Sequence, residues 1–510
     1  MLDLGIQRDI VASLRNAGIS RLRRFQYEGI VRGVSGKSLV VVAPTGSGKT
    51  LIGEIIAVNR ILSEKAKALY LTPYKALAEE IADTLRRRYP IKVGLATGDY
   101  RDVPMRLLGE YDLIVLTYEK ADHIFREGPE WLKEVRVAIV DEIHLLGDPH
   151  RGALLDVVLT YMRERKIQII GLSATILNPE DVSGWLGAEL IMSNFRPVKL
   201  LECVYLVPES KMIIYDPRPN EKEVYLVRNT KSFTMPRGTL DEFFSADDTV
   251  RDILKEYVGD EYEIVETKEG YGKLMERKLS RSKMCEKLEK EYAHLITGGA
   301  FFVKDIRTAV SRKRKSFMDA VLDIIYDTFT EMQEYDQRWQ VLIFRSSRLL
   351  AQKTAERIAE FMRNRGLSKL FRGAEEVARR FEKEIPEPTS ITRSLANIAR
   401  YGVGFHHAGL SRAERRIIEE GFRSGKLGVL VATPTLAAGV NLPARRVIIE
   451  EKYYEPEYGG RIDLTTSEYK QRGGRAGRPG YDKVGETILI ARNRKDLHRF
   501  IEKYILGSPE

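Results

Sequence analysis

The sequence predicts an α/β protein with two parallel-sheet domains in tandem and an inserted α+β or helical module between them. Three observations predict it. Short β-branched apolar runs alternate with longer helical patterns through the first 200 residues; the rhythm returns after about residue 330; the stretch between is charged and lacks such runs. Strands alternating with crossover helices read as a parallel sheet covered on both faces. At 510 residues the chain exceeds one ordinary core, and its length suggests roughly three domains. The expected boundaries are 1–204, 205–315 and 316–510.

In chain order, MLDLGIQRDIVASL reads as an amphipathic helix and shows no signal-peptide cleavage pattern. SLVVVAP is a buried strand, and GKTLIGEIIAVNRIL after it has helical spacing. ALYLTP, LIVLT, VRVAIVD and IQIIGLSAT are further strands. The middle segment carries Tyr257, Tyr262, Tyr271, Phe301 and Phe302 among the basic stretches KLMERKLSRSK and SRKRK. That mixture suits strand binding by phosphate contact and base stacking, or a solvated, charge-balanced insertion. WQVLIF, a helix from Leu349 to Arg365, LGVLVATP, RRVIIEE and ETILIA rebuild the α/β rhythm. Apolar content of 43% is ample for packed cores, and the net charge of +10 suits a polyanionic partner. No apolar run approaches the ~18 residues of a membrane span. Cys203 and Cys285 can build neither a disulfide framework nor a four-cysteine metal site. The expected location is cytoplasmic, without a membrane.

The chemistry starts at APTGSGKT, Ala43 to Thr50. It fits the phosphate-loop pattern G-x-x-x-x-G-K-[ST] with Ala43 in the first glycine position. Backbone N–H groups of Thr45, Gly46, Ser47 and Gly48 and the following helix N-terminus make an anion cradle. Lys49 is expected to reach the outer phosphates of ATP, and the Thr50 hydroxyl to ligate Mg²⁺. VRVAIVDEIH supplies the carboxylates at a strand end, where ligands of open α/β sheets bind. Asp141 would hold the metal and Glu142 would polarise the attacking water.

APTGSGKT, DEIH and GLSATI resemble motifs I, II and III of superfamily 2 helicases of the DExH type. RRFQYEGI resembles their Q motif, in which Gln26 would read the adenine edge, while Phe25 is more readily a core residue than a stacking face. The resemblance covers nearly everything outside 205–315 and implies two RecA-like P-loop NTPase domains. QRGGRAGR resembles motif VI, which implies that Arg475 and Arg478 enter the cleft and meet the γ-phosphate held by the first domain. The surrounding glycines would allow that approach. Arg472 lies outside the usual finger positions and is expected to be structural or solvent-facing. His144, Ser173, Thr175 and Gln471 would couple the domains, Gln471 by a hydrogen bond to His144.

Between these motifs, Thr72, Pro73, Thr97, Gly98 and Thr117 resemble motifs Ia to Ic, and His406, Thr433 and Thr435 supply the second domain's half of a strand-binding track. Small hydroxyls and backbone N–H groups bind phosphates without reading bases; each threonine alone is more readily a turn or cap residue than a contact. TGDY, EKAD, VDEIHLL, FHHAGL, ATPTLAAGVNLPARRVI and GRAGRPG together resemble the archaeal Hjm-type repair helicases and their Ski-like relatives. The likeness implies a strand-separating hairpin at EEKYYEPEYGGRIDLTTSEYK, with Tyr453, Tyr454 and Tyr458 stacking on a terminal base pair. That family continues past motif VI into a winged helix and a helical ratchet domain, whereas this sequence ends about thirty residues after it. Either the insert or a protein partner would take their place, or the sequence is a piece of a longer chain. The implied activity is ATP-dependent 3′-to-5′ unwinding of single-stranded or forked nucleic acid in repair or recombination, with DNA favoured over RNA. An RNA helicase of Ski-like type and an ATP-switched clamp remain alternatives.

Overall fold

The computed structural model describes residues 5–507 apart from 20, 99–102, 149–150, 175, 177, 194, 218–222, 229–230, 237–261, 267–282, 297–298, 311–314, 335–337, 435–441, 456–459, 479–480 and 483. Of Ala76 and the strand residues 223–228, 231–236, 262–266, 453–455 and 460–461 it describes the backbone.

The first sheet contains β1 (Leu39–Val42), β2 (Lys67–Thr72), β3 (Val93–Ala96), β4 (Leu113–Thr117), β5 (Val135–Asp141), β6 (Gln168–Ser173) and β7 (Glu189–Met192). Their order is β3-β4-β2-β5-β6-β1-β7, and every pairing is parallel. Alternate residues of a strand face opposite sides of a sheet, and both sides are buried here. Leu39, Val41, Tyr70, Val115 and Ile139 join the apolar cluster under helices Arg24–Val34 and Thr50–Glu64. Val40, Leu69, Leu71, Ile114 and Val140 join the one packed by helices Tyr118–Glu127 and Gly152–Glu164. Continuous apolar strands are what double coverage requires. All seven carboxyl ends reach one edge, where the loops after β1, β2, β4, β5 and β6 gather.

The second sheet contains β8 (Lys199–Leu206), β9 (Lys211–Asp216), β13 (Ala300–Asp305), β14 (Val341–Phe344), β15 (Val403–His406), β16 (Val429–Ala432), β17 (Arg446–Ile449) and β20 (Val484–Ala491). Between β9 and β13 lie β10 (Glu223–Arg228), β11 (Lys231–Pro236) and β12 (Tyr262–Glu266), a separate antiparallel sheet in the order β11-β10-β12. β18 (Lys452–Glu455) and β19 (Gly460–Asp463) pair as an antiparallel hairpin, with Tyr453 opposite Ile462 and Tyr454 opposite Arg461.

The expected boundaries at 204 and 315 do not follow the pairing. β8 runs parallel to β20 over its whole length, and β9 and β13 extend the same sheet as antiparallel strands. The apolar run KLLECVYL shows a strand, but partner choice is set by tertiary contacts. The interruption of the second sheet is therefore 217–299, because Asp216 and Ala300 sit opposite one another in the β9–β13 pair. Within it, helix Lys283–Glu291 packs Cys285 and Leu288 into the second core. Phe301 is fully buried 5.1 Å from the Tyr215 ring, and the Lys315 ammonium pairs with buried Asp323 at 2.6 Å, so neither is available to a nucleic-acid strand. Tyr257, Tyr271 and most of the two basic stretches lie outside the described residues. Among the described residues no helix is long and apolar enough to cross a membrane.

Candidate functional site

The loop after β1 turns on two glycines with left-handed backbones, Gly46 (φ 80°) and Gly48 (φ 86°). A side chain at Gly48 would also collide with Gln26 Nε2 at 2.6 Å and Arg23 Nη1 at 2.9 Å. Thr50 then opens helix Thr50–Glu64. Two groups hold the loop from outside: Gln26 Nε2 donates to the Gly48 carbonyl at 2.9 Å, and Arg23 Nη1 donates to the Ser47 carbonyl at 2.6 Å. Gln26 Oε1 accepts from Arg23 N at 2.8 Å. Gln26 is buried and braces the phosphate loop, rather than presenting a free amide to an adenine edge. Phe25 is buried in the core. The Ser47 hydroxyl is buried without a hydrogen-bond partner, and Lys49 is nearly buried.

Asp141 ends β5 beside this loop. Its carboxylate accepts from Tyr70 Oη (3.2 Å) and from Glu142 N (3.0 Å), and Tyr118 Oη donates to its carbonyl. Burial, and then the neighbouring Glu142 charge, push the Asp141 pKa up to about 6, against the pull of Lys49. A bound cation would reverse that shift. The Thr50 hydroxyl and Asp141 carboxylate are hard oxygen donors, the kind Mg²⁺ takes from protein when phosphates and waters complete its shell. The site chemistry therefore fits Mg²⁺.

Glu142 has a left-handed backbone (φ 56°), and its buried Oε2 has no hydrogen-bond partner. His144 Nδ1 lies 3.4 Å from that oxygen and 3.3 Å from Ser173 Oγ. Burial, then Lys49, lower the His144 pKa to about 4. The imidazole is neutral at pH 7, so its approach to Glu142 is a contact and not an ion pair.

The second domain reaches this edge through helix Thr466–Gly473 and the turn after it. A Cβ on Gly474 would lie 3.1 Å from Thr45 Oγ1, and one on Gly477 (φ 92°) would lie 2.4 Å from Val198. Glycine is needed where backbone meets the other domain. Arg475 is half-buried at this junction; desolvation lowers its pKa, while Glu142 and Glu80 of the first domain favour its charge. Arg478 does not enter the cleft. Its Nε and Nη2 grip Asp482 at 2.8 Å each, Nη1 donates to Gln340 at 3.0 Å, and Nη2 also meets the Arg338 carbonyl. A buried carboxylate four residues away has captured the guanidinium. Arg472 is 4% exposed and bonds Glu468 at 3.2 Å, so it is structural and not solvent-facing. Among the described residues no hydrogen bond joins Gln471 to His144; Thr175 lies outside them.

The expected track of hydroxyls is mostly interior. Thr72, Pro73, Thr97, Thr117, His406 and Thr433 are buried; Gly98 is exposed. Thr117 Oγ1 caps helix Tyr118–Glu127 by accepting from Lys120 N, and His406 Nε2 is held 2.8 Å from Glu419. Strand ends need caps and packing before they need ligands. Thr435 and Tyr458 lie outside the described residues, as do the side chains of Tyr453 and Tyr454. Sequence reasoning missed Tyr70, Tyr118 and Arg23. Hydroxyl-bearing rings at the ends of aliphatic strands, and an arginine three residues before Gln26, were the available signals. A cavity of about 350 Å³ lies elsewhere, at the opposite edge of the first sheet, lined by Arg60, Arg136, Arg163 and Lys166. Arg163 lies in the last turn of its helix and Lys166 just beyond it, where cations offset a helix dipole; the cavity is not assigned to the nucleotide.

The DEAD/DEAH box helicase family matches residues 23–182, and the helicase conserved C-terminal domain matches residues 379–480. The chain is 35% identical over 512 residues to the ATP-dependent DNA helicase Hel308 of Pyrococcus horikoshii, covering 100% of this chain and 56% of that one. It is 34% identical to Hel308 of Caldivirga maquilingensis, covering 99% of this chain and 54% of the relative. Hel308 of Pyrococcus abyssi is 34% identical, with 100% and 56% covered. The chain thus spans little more than half the length of these relatives. Two helicase domains that together carry the phosphate loop, the DEIH carboxylates and the arginine turn, with matches end to end, make one assignment: the chain belongs to the superfamily 2 helicases of Hel308 type.

Proposed function

We propose that the chain is an ATP-driven motor that separates nucleic-acid strands, moving 3′-to-5′ and acting on DNA in preference to RNA, in repair or recombination. The observation that carries the reading is the approach of the arginine turn to the phosphate loop, so close that a Cβ on Gly474 would lie 3.1 Å from Thr45 Oγ1, a junction that neither domain makes alone. The name ATP-dependent DNA helicase, borne by the relatives, supports DNA as the substrate.

In this reading the loop N–H groups and Lys49 hold the phosphates of ATP. Thr50 and Asp141 would hold Mg²⁺, which when bound draws charge from the phosphoryl oxygens. Glu142, with one carboxylate oxygen free of hydrogen bonds, orients the attacking water and accepts its proton. Arg475 meets charge that develops on the γ-phosphoryl group, so turnover requires the domains to be apposed. His144, placed by Ser173, stands 3.4 Å from the free Glu142 oxygen and links the carboxylate to the end of β6. The β18–β19 hairpin is the element that would part the duplex, and the insertion at 217–299 is an accessory module.

Strand displacement on matched DNA and RNA duplexes with 3′ or 5′ tails tests this. ATP-dependent displacement of 3′-tailed DNA is expected. Faster displacement of RNA would overturn the substrate class; hydrolysis without displacement would leave an ATP-switched clamp.

A further inference from the structure

The arginine turn is rich in glycine and is held from two sides, by a parallel bridge between Ala444 and Ala476 within its own domain and by the connection between the sheets. Gly473, Gly474 and Gly477 flank Arg475 and Ala476, and glycine backbone has the most freedom to lose on ordering. Its amides are satisfied locally or by the segment leading into β17: Arg475 N bonds Arg472 O at 3.1 Å, Ala476 N bonds Gly473 O at 2.9 Å, Gly477 N bonds Ala444 O at 2.7 Å, and Arg475 O accepts from Ala444 N at 3.0 Å. Two of its carbonyls are taken by a residue from the connection between the sheets. Arg196 Nη2 donates to Gly474 O at 3.2 Å and to Ala476 O at 2.9 Å, while its Nε donates to Val198 O at 3.2 Å. Those two carbonyls bracket Arg475.

The same connection also touches the phosphate loop. Phe195 lies under the Arg23 guanidinium, 4.5 Å from ring centroid to carbon, and Arg23 holds the Ser47 carbonyl. Pro197 comes to 4.0 Å of the position a Gly46 side chain would take. Three successive residues of the connection thus contact both halves of the junction. We infer that Arg196 is a positioning residue for Arg475: it ties the two carbonyls beside Arg475 to the connection that also touches the phosphate loop, so that the height of the Arg475 guanidinium over that loop depends on the connection between the domains. Nη2 alone serves both turn carbonyls while Nε on Val198 O fixes the plane of the guanidinium; a lysine ammonium can reach the two carbonyls but loses the Val198 contact that aims the side chain. The inference rests on the reading of Arg475 as the group that meets the γ-phosphoryl oxygens.

Two measurements on the full chain test it. In amide hydrogen exchange, Arg196→Ala should speed exchange across residues 474–477 and leave β1 and β5 unchanged. Unaltered protection at 474–477 would overturn the clamp. In steady-state ATP hydrolysis, Arg196→Ala should lower kcat on the order of 10²-fold, the loss expected when a reacting group is displaced by about an ångström, with KM for ATP and the melting temperature changed little. Arg196→Lys should recover part of the rate. In an Arg475→Ala background, Arg196→Ala should cost nothing further, because its effect passes through Arg475. A multiplicative loss in that background would overturn the positioning role. If the parent chain hydrolyses no ATP, the reading of the chain as a motor fails, and the exchange experiment still decides the clamp.

Discussion

Glu142 occupies a left-handed backbone conformation that a glutamate adopts at a cost of order 1–3 kcal/mol. The surroundings impose it: Glu142 N is tied to the Asp141 carboxylate, and Tyr118 Oη reaches the carbonyls of both residues. Strain maintained at a strand end beside a phosphate loop directs one carboxylate oxygen inward without a partner. Glu142→Gln should therefore keep nucleotide affinity while hydrolysis falls on the order of 10²–10⁴-fold, the range of a lost general base. Fluorescent-nucleotide titration beside a turnover assay checks it, and parent-rate hydrolysis would remove Glu142 from the chemistry. The two arginines of the turn should separate in the same assays. Arg475→Lys keeps a charge but loses the fork, and hydrolysis should drop on the order of 10³-fold. Arg478→Lys should instead lower the melting temperature, because it breaks the two-pronged grip on Asp482, worth roughly 1.5–3 kcal/mol per charged hydrogen bond at most. Equal effects of the two substitutions on rate would contradict the geometry. Motif spacing made both arginines look alike; the acid at 482 was in plain view in GRAGRPGYD, but which way a guanidinium turns is decided by its nearest carboxylate.

At the scale of elements, the strands were legible where apolar runs were continuous. SLVVV, ALYLT, LIVLT, VRVAIVD, IQIIGLS and ETILIA all became buried parallel strands. What could not be read was allegiance: KLLECVYL belongs to the second sheet because it pairs with β20, and no local property of its residues names that partner. The hairpin pairing was expected from the family likeness, whereas the hydroxyl track was not legible, since capping and ligand binding draw on the same residues at the same strand ends. The β9–β13 pairing makes the insertion separable. Asp216 and Ala300 are already neighbours, so the pairing of β9 with β13 closes the sheet without help from 218–282. Because helix Lys283–Glu291 contributes Cys285 and Leu288 to the second core, it should be retained. Replacing 218–282 by a Gly/Ser linker of roughly ten residues should leave melting and ATP hydrolysis within about two-fold of the parent. Its affinity for single strands, measured against salt, should fall with a shallower slope, because fewer phosphates are neutralised. Loss of folding would show that the module is part of the core; equal affinity and slope would remove it from the strand path.

Across the whole molecule, the second domain is held to the returning strand β13 by a buried network. Arg446, 2% exposed at its side chain, pairs with Glu486 (2.6 Å), Asp327 (3.1 Å) and Glu331 (2.9 Å). Arg445 shares Glu486, and Lys304 of β13 shares Asp327 and Glu331. Three carboxylates thereby tie β13, β17, β20 and helix Phe317–Glu334 together. The acids recur every four residues along FMDAVLDIIYDTFTEM, a polar stripe on an apolar helix that was visible as spacing but not as a partner for Arg446. Burial alone would raise the Glu486 pKa, but Arg445 and Arg446 outweigh it and bring it down to about 2; Asp327 is likewise held low by Arg446 and Lys304. A carboxylate with a depressed folded pKa contributes stability that is present above its ordinary value near 4.5 and lost as pH falls through the folded value. For Glu486 that contribution is on the order of 3 kcal/mol. Glu486→Gln should accordingly lower the melting temperature at pH 7, where it leaves Arg445 and Arg446 under-compensated in a dry site. Between about pH 4.5 and 2 the parent loses the same charge by protonation, so the gap between parent and variant should close. Other carboxylates titrate in that range in both proteins and cancel in the difference. Differential scanning calorimetry of the pair from pH 7 to pH 2 reads this directly. A gap that stays constant down to pH 2 would mean that Glu486 acts through packing and not through its charge on Arg445 and Arg446.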